Sequence, residues 1–180
     1  MVAEKTFIEG LLVIKPKVFE DARGYFFESY NETLLKAEGL NAKFVQDNQS
    51  LSQKNVLRGL HFQEPPYAQG KLVRVIKGAV LDVVVDIRKT SKTYGKHFAL
   101  ELTEQNKTML WVPEGFAHGF VTLENDTIFY YKCTNYYQKE SEGCVKWDDP
   151  QLGISWNVTD PLLSEKDKMG TPFADFVSPF

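Results

Sequence analysis

The sequence contains few of the residues that cross-link a chain through disulfides or metal ions. It has two cysteines, Cys133 and Cys144, and three histidines among 180 residues. The cysteines could face each other across a hairpin, but reduced thiols are the expectation for a cytoplasmic chain. With no second cysteine pair, the sequence lacks the four-cysteine pattern of a structural metal site, and it excludes a disulfide-dense scaffold.

Long apolar runs and strong net charge are also missing. No stretch approaches the roughly 18 apolar residues of a membrane helix, and residues 1–10 lack the apolar region of a secretory signal. A cytoplasmic location is therefore expected. The formal charge is −3, so no global field attracts nucleic acid, and an anionic ligand needs a local basic cluster.

Short apolar runs separated by turn residues make up most of the chain. Leu72 to Ile76 and Ala79 to Ile87 flank the turn Lys77-Gly78, and comparable runs recur on both sides of them. Helix signals are confined to an Asn31-capped segment and a Ser164-Glu165-Lys166-Asp167 capping box. This pattern predicts a single all-β domain, either a sandwich or a barrel.

The most informative stretch is Val56 to Gln63, because it places an arginine and a histidine beside a glycine in one predicted strand. Strand alternation directs the side chains of Arg58 and His61 to opposite faces. A bulge at Gly59 would shift that parity and bring both side chains into one cavity. Without a bulge, Arg58 would be a solvated charge and His61 a hydrogen-bonded core residue.

Polar side chains also interrupt other predicted strands. The segment Phe44 to Ser50 becomes polar after two residues, which suits either a cavity wall or a solvated strand end. Asp82 lies among valines, where a carboxylate needs a partner such as a backbone group or a nearby base. His118 lies within an aromatic strand. These positions are candidates for a polar cavity.

Seven segments of the chain, in order and in register, resemble the dTDP-4-dehydrorhamnose 3,5-epimerases of the RmlC type. Together they run from residue 23 to residue 167, and a match of seven strings is much more specific than any one alone. The strings are RGYFFESY at 23–30, FVQDN at 44–48, VLRGLHFQ at 56–63, QGKLVR at 69–74, VPEGFAHGF at 112–120, YKCTNYY at 131–137 and LSEKD at 163–167.

The resemblance implies a cupin-like jelly roll, that is, a double-stranded β-helix barrel with few short helices, assembled as a homodimer. Residues 1–180 then form one epimerase domain. Residues 1–50 supply N-terminal strands and a segment exchanged with the partner subunit, residues 51–147 supply the jelly-roll core, and residues 148–180 form a tail with a short helix.

The resemblance also implies a reaction and the residues that catalyse it. The family inverts C3 and C5 of dTDP-4-dehydro-6-deoxyglucose to give dTDP-4-dehydro-L-rhamnose, in dTDP-L-rhamnose biosynthesis. Proton removal beside a ketone requires a base, a positive group at the enolate oxygen and an acid on the other face. His61 matches the base, Asp167 its orienting carboxylate, Lys71 the oxygen-stabilising cation and Tyr131 the acid.

Further positions match the family's contacts with the sugar nucleotide. Arg23 (from the partner subunit), Arg58 and Lys166 correspond to charge partners of the diphosphate, and Tyr137 to an aromatic residue that stacks on thymine. The remaining binding positions are Glu28, Gln46, Asp47, Asn48, His118 and Glu142.

Other functions stay open at this stage. Many cupins hold a metal, but Gln63 occupies the position where metal cupins usually have a second histidine, so we expect no metal and no cofactor. A mono-epimerase or ketoisomerase of the same fold is the alternative enzyme. A non-catalytic sugar-nucleotide binding module and a metal-dependent oxygenase are the alternatives from other classes. Neither nucleic acid nor membrane is an expected partner.

Overall fold

The computed structural model describes all of residues 1–180 and consists mainly of short β-strands. Two antiparallel sheets contain eleven of the strands, as expected for a jelly roll. The strands are β1 Val2–Lys5, β2 Leu12–Lys15, β3 Val18–Asp21, β4 Gly24–Phe27, β5 Gln46–Ser52, β6 Leu57–Gln63, β7 Lys71–Lys77, β8 Ala79–Asp86, β9 His97–Thr103, β10 Met109–Val112, β11 Phe116–Thr122, β12 Thr127–Cys133 and β13 Glu142–Cys144.

The larger sheet has the strand order β1-β2-β10-β7-β12-β5, and the smaller sheet has the order β13-β6-β11-β8-β9. β3 and β4 pair only with each other, in a separate hairpin. Residues 1–50 therefore supply β1, β2 and most of β5 to the larger sheet. β1 lies at the edge of the larger sheet, although neither β1 nor the short β13 has a clear signal in the sequence.

The main core lies between the two sheets, where alternate residues of facing strands point inward. Val73 and Phe129 of the larger sheet pack with Val84 and Phe120 of the smaller one, and all four are buried. The Phe120 and Phe129 rings stack with centroids 4.1 Å apart. Burial of these side chains joins the two sheets and leaves the polar inward positions grouped at one end.

The C-terminal tail covers the outer face of the smaller sheet. Its Trp156 is buried with Leu60 and Val85, and the indole Nε1 donates to the Trp147 carbonyl at 2.8 Å. The tail includes α2, Glu165–Lys168, which Ser164 caps as the capping box predicts. The other helix, α1, Glu32–Ala37, begins after its predicted cap Asn31. Neither helix is long and apolar enough to cross a lipid bilayer.

A buried carboxylate fixes the loop that follows β8. Asp86 is fully buried and accepts hydrogen bonds from Arg88 Nη2 at 2.7 Å, Ser91 Oγ at 2.6 Å and Thr93 Oγ1 at 2.6 Å. Burial opposes ionisation of Asp86, but these donors outweigh it and lower the pKa to about 2. The loop is thus held by an ionised group with several donors.

Replacing Asp86 with alanine is expected to lower the free energy of unfolding by about 2 to 3 kcal/mol, because it leaves the donors unpaired. Since the folded-state pKa is below the ordinary value of 3.8, this contribution is present above about pH 4 and is lost as the pH falls towards 2. Urea denaturation at pH 7 and at low pH measures both effects.

The matched control is Asp148, whose ion pair with Lys146 has the same sequence spacing on the surface. The two side chains are 44% and 39% exposed, so Asp148→Ala is expected to leave the unfolding midpoint nearly unchanged. If the two substitutions lowered the free energy of unfolding equally, burial of Asp86 would not be the reason for its contribution to stability.

Candidate active site

The two sheets enclose a polar cavity of about 350 Å³ at the end where inward-facing positions are not apolar. A second, adjoining cavity of about 230 Å³ shares the side chains of His61, Lys71 and Tyr131 with it. Ten of the fourteen predicted site residues line the larger cavity: Asn48, Arg58, His61, Lys71, His118, Tyr131, Tyr137, Glu142, Lys166 and Asp167.

Arg58 and His61 reach this cavity together because β6 contains one extra residue. On β11, His118 pairs with His61 and Phe120 pairs with Arg58. These pairs are two residues apart on β11 but three residues apart on β6, so β6 holds one unpaired residue between them. The irregularity lies at Gly59, as the bulge hypothesis required. An added Cβ at Gly59 would lie 2.5 Å from the Gly119 Cα, so only glycine permits this close approach of strands.

The smaller sheet supplies an imidazole held by a carboxylate. His61 Nε2 lies 2.6 Å from Oδ1 of Asp167, and the His61 side chain is 23% exposed. Nε2 has no aligned hydrogen-bond acceptor, so its contact with Asp167 is a close approach rather than an aligned hydrogen bond. Nδ1, the other ring nitrogen, is therefore the one left for a ligand.

Asp167 is itself held by neighbouring groups. Its Oδ1 accepts from the Gly59 N–H at 3.2 Å, and its Oδ2 accepts from Ser164 Oγ at 2.5 Å. Burial opposes ionisation of Asp167, but the contacts with His61, Ser164 and the Gly59 N–H outweigh it and lower its pKa to about 2. The capping box and the contact with His61 coexist, because Asp167 occupies the third helical position after Ser164.

The sequence predicted that Ser164 caps a helix, but it did not reveal that Ser164 also contributes to the site. Replacing Ser164 with alanine is expected to lower the free energy of unfolding by about 1 kcal/mol through loss of the cap. It is also expected to lower kcat by about fivefold, because a side-chain donor to Asp167 is lost. Chemical denaturation and steady-state kinetics of the variant measure the two effects.

Asn31→Ala provides the control, since Asn31 caps α1 with a hydrogen bond from the Leu34 N–H at 3.1 Å. It removes an equivalent cap but should leave kcat at saturating substrate unchanged. If both variants lose kcat to the same extent, the effect of Ser164 reflects lost stability and not the position of Asp167.

The larger sheet supplies a lysine and a tyrosine from neighbouring strands. Lys71 of β7 lies opposite Cys133 of β12, and Tyr131 lies two residues earlier on the same inward face. The Lys71 ammonium is 5.9 Å from the Tyr131 ring centroid. Burial lowers the pKa of Lys71 below its usual range, and it raises the pKa of Tyr131 to about 12.

A second imidazole–carboxylate pair lies deeper in the same cavity. His118 Nε2 is 3.0 Å and 2.9 Å from the two carboxylate oxygens of Asp82, whose side chain is fully buried. Asp82 thus has a histidine as its partner, one of the two explanations that its sequence position left open. The His118 side chain is only 7% exposed, so His61 is the more accessible histidine.

Charged and aromatic side chains form the cavity mouth. Glu142 receives a hydrogen bond from Tyr137 Oη at 3.0 Å and forms an ion pair with Lys166. Burial opposes ionisation of Glu142, but Lys166 and Tyr137 outweigh it and lower its pKa. The cations at this end, Arg58 and Lys166, provide the local basic group that an anionic ligand requires.

Four predicted residues lie outside the larger cavity. Gln46 lines the adjoining cavity. Asp47 lies on the opposite face of β5, where it accepts from Lys132 Nζ and Tyr130 Oη, each at 2.8 Å. Asp47 therefore does not line the cavity of this chain, because strand alternation turns its side chain to the other face of β5. Arg23 and Glu28 also lie outside, around the β3–β4 hairpin and the segment after it.

Comparison with known proteins gives a consistent result. The family model described as dTDP-4-dehydrorhamnose 3,5-epimerase matches residues 5–175. Proteins of that name from Salmonella typhimurium and Shigella flexneri are 54% and 52% identical, over 93% and 95% of this chain and 92% and 95% of theirs.

A solved relative has nearly the same fold. The Legionella pneumophila dTDP-6-deoxy-D-glucose-3,5-epimerase, determined in complex with dTDP-4-keto-L-rhamnose, superposes with a TM-score of 0.93 at 44% identity. The match covers 97% of this chain and 94% of that one. The chain therefore belongs to the dTDP-4-dehydrorhamnose 3,5-epimerase family.

Proposed function

We propose that the chain converts dTDP-4-dehydro-6-deoxyglucose to dTDP-4-dehydro-L-rhamnose by inverting C3 and C5, in dTDP-L-rhamnose biosynthesis. The names of relatives that share about half of its residues support this reaction. The observation that carries the mechanism is the placement of His61 and Tyr131 in one cavity, on strands of opposite sheets. A sugar ring between the sheets would present one face to each side chain.

His61 acts as the base in this mechanism. Its Nδ1 removes the proton from the carbon beside the ketone, and the ionised Asp167 stabilises the imidazolium that forms. The low pKa of Asp167 keeps the carboxylate charged throughout the physiological pH range. Because Asp167 lies against Nε2, Nδ1 is the ring nitrogen whose lone pair is left for the substrate.

Lys71 stabilises the charge that moves onto the ketone oxygen as the proton leaves. Because the ammonium lies in a cavity with little solvent, its field at the enolate is stronger than it would be in water. Tyr131 then donates its phenolic proton to the opposite face of the carbon. Its pKa of about 12 means that this proton is present at neutral pH.

The nucleotide occupies the mouth of the cavity in this proposal. Arg58 and Lys166 contact the diphosphate, and the exposed ring of Tyr137 stacks on thymine. Glu142 holds both Tyr137 and Lys166 before the ligand arrives. Gln46, Asn48 and His118 contact the substrate from the cavity walls.

The protein acts as a homodimer in this proposal. The β3–β4 hairpin exposes three aromatic residues, with Phe19 53%, Tyr25 58% and Phe26 67% exposed, in a chain whose other large aromatic residues mostly pack inside. Covering this hairpin with a second copy would bury the patch and bring Arg23 and Glu28 to the partner's cavity.

Incubating the protein with dTDP-4-dehydro-6-deoxyglucose in deuterated water tests the reaction. Each inversion passes through an enolate that is reprotonated from solvent-exchangeable groups, so the product should carry deuterium at both C3 and C5. Label at one carbon would identify a mono-epimerase of the same fold. If neither label nor product appeared, the proposed reaction would be refuted, and the protein would be a sugar-nucleotide binding module without catalytic activity.

A further inference from the structure

Cys144 lies beside the proposed base but has no part in the mechanism. It belongs to β13, whose register places it directly opposite His61 of β6, so the two side chains are cross-strand neighbours on the inward face. Its thiol makes only a weak contact with the Val145 carbonyl, at 3.6 Å. Burial, reinforced by the negative charge of Asp167, raises its pKa to about 11, so the free thiol is protonated and a poor nucleophile.

Together with Asp167, these two residues form a group with the composition of a metal site. One potential ligand atom from each of His61, Cys144 and Asp167 lies within 4.8 Å of the others. Ligand atoms around a tetrahedral zinc ion are about 3.5 Å apart, given zinc–nitrogen and zinc–sulfur bonds of about 2.0 and 2.3 Å. An ion therefore fits only if His61 Nε2 and Asp167 Oδ1, now 2.6 Å apart, separate by about 1 Å and the thiol adjusts by a similar distance.

The orientation of His61 provides a second, independent indication. Its Nε2 is buried and close to Asp167, yet no acceptor is aligned with its N–H. Because that N–H lacks an aligned acceptor, the imidazole can adopt the tautomer with its proton on Nδ1 and coordinate an ion through Nε2 at little cost in lost hydrogen bonding. Asp167, in contrast, retains its contacts with Gly59 and Ser164, which would support it as a ligand.

The chemistry of the three groups selects the ion. An imidazole, a thiolate and one carboxylate favour zinc or a similar borderline ion over magnesium or calcium, which prefer oxygen ligands. The thiol loses its proton to solvent when the metal–sulfur bond forms. His61 and Asp167 both line the larger cavity, from which water can reach a fourth coordination position.

We propose that His61, Cys144 and Asp167 bind a zinc ion that inhibits the enzyme. The ion is not a cofactor, because it engages the imidazole and the carboxylate on which proton abstraction depends. The inhibition, though not the binding, rests on the proposed role of His61. The second pair, His118 and Asp82, has no cysteine in such a group, so the site is specific to this side of the cavity.

The test uses the full-length protein freed of metal with a chelator and then titrated with Co²⁺ or Zn²⁺. Cobalt should bind with a thiolate-to-metal absorption band, and zinc should inhibit epimerisation until a chelator is added. Cys144→Ser should keep its basal kcat/KM, lose the cobalt–thiolate band and raise the zinc inhibition constant by roughly tenfold or more.

Cys133→Ser is the matched control, because Cys133 is the other cysteine and is buried on β12 of the larger sheet. It should retain the cobalt–thiolate band. The proposed metal site would be refuted if the wild-type protein showed no cobalt–thiolate band, or if the band persisted in Cys144→Ser. Zinc inhibition that is equal in wild type and Cys144→Ser would overturn the inhibitory role. Since the cobalt band needs no turnover, the site is tested even if the epimerase reaction is not observed.

Discussion

Replacing His61 with asparagine is expected to lower turnover by about 10²- to 10⁴-fold, the usual contribution of a general base. Asparagine has a similar size and can still contact Asp167, but it cannot accept the substrate's proton. The affinity for dTDP should remain nearly unchanged, because the proposed nucleotide contacts lie at the cavity mouth. Steady-state kinetics and calorimetric titration with dTDP measure the two quantities separately.

The control for this variant is His118→Asn, which alters the other histidine–carboxylate pair in the same cavity. His118 is more deeply buried than His61, with 7% against 23% of its side chain exposed. His118→Asn should therefore still incorporate solvent deuterium into the substrate. If His118→Asn abolishes incorporation and His61→Asn does not, the base has been assigned to the wrong histidine. Equal loss of turnover and dTDP affinity in His61→Asn would indicate a structural role.

Replacing Tyr131 with phenylalanine is expected to reduce product formation by about 10²-fold or more, because the acid on the second face is removed. The base and Lys71 remain, so the enolate should still form and be reprotonated by His61 on its original face. In deuterated water, the unreacted substrate should then gain deuterium without inversion. Mass spectrometry and proton NMR of the recovered sugar nucleotide measure this exchange.

The exchange distinguishes the two catalytic variants. His61→Asn should stop both exchange and inversion, whereas Tyr131→Phe should stop inversion alone. Wild-type rates of inversion in Tyr131→Phe would show that another group supplies the proton. Loss of exchange in Tyr131→Phe would show that Tyr131 is needed for enolate formation as well.

Most of the fold could be predicted from the sequence, because most of the strands carry their own apolar pattern and are followed by their own turn. The predicted strand at Ala79 to Ile87 differs from β8 by one residue, and Asn31 and Ser164 cap the helices as expected. The strand β13 could not be predicted, since three residues are too few for a periodic signal. Its pairing with β6 depends on the tertiary fold.

The site could be predicted only in part from local patterns. The polar residues of β5 were compatible with either a cavity wall or a solvated strand end. The structure shows that Asn48 lines the cavity, whereas alternation turns Asp47 to the other face, which a run of matching residues does not indicate. Gly59 permitted a bulge, and the structure was needed to show that the bulge joins Arg58 and His61 in one cavity. The closeness of Cys144 to His61 follows from strand register, which has no local sequence signal.

The central claim is that a base and an acid approach the sugar from opposite sheets, and a crystal structure of the protein with its bound 4-keto sugar nucleotide tests it most directly. The account predicts a His61 ring nitrogen and the Tyr131 hydroxyl on opposite faces of the pyranose, each about 3 to 3.5 Å from the carbon that is inverted. Both groups on the same face, or either one turned away from the sugar, would contradict it.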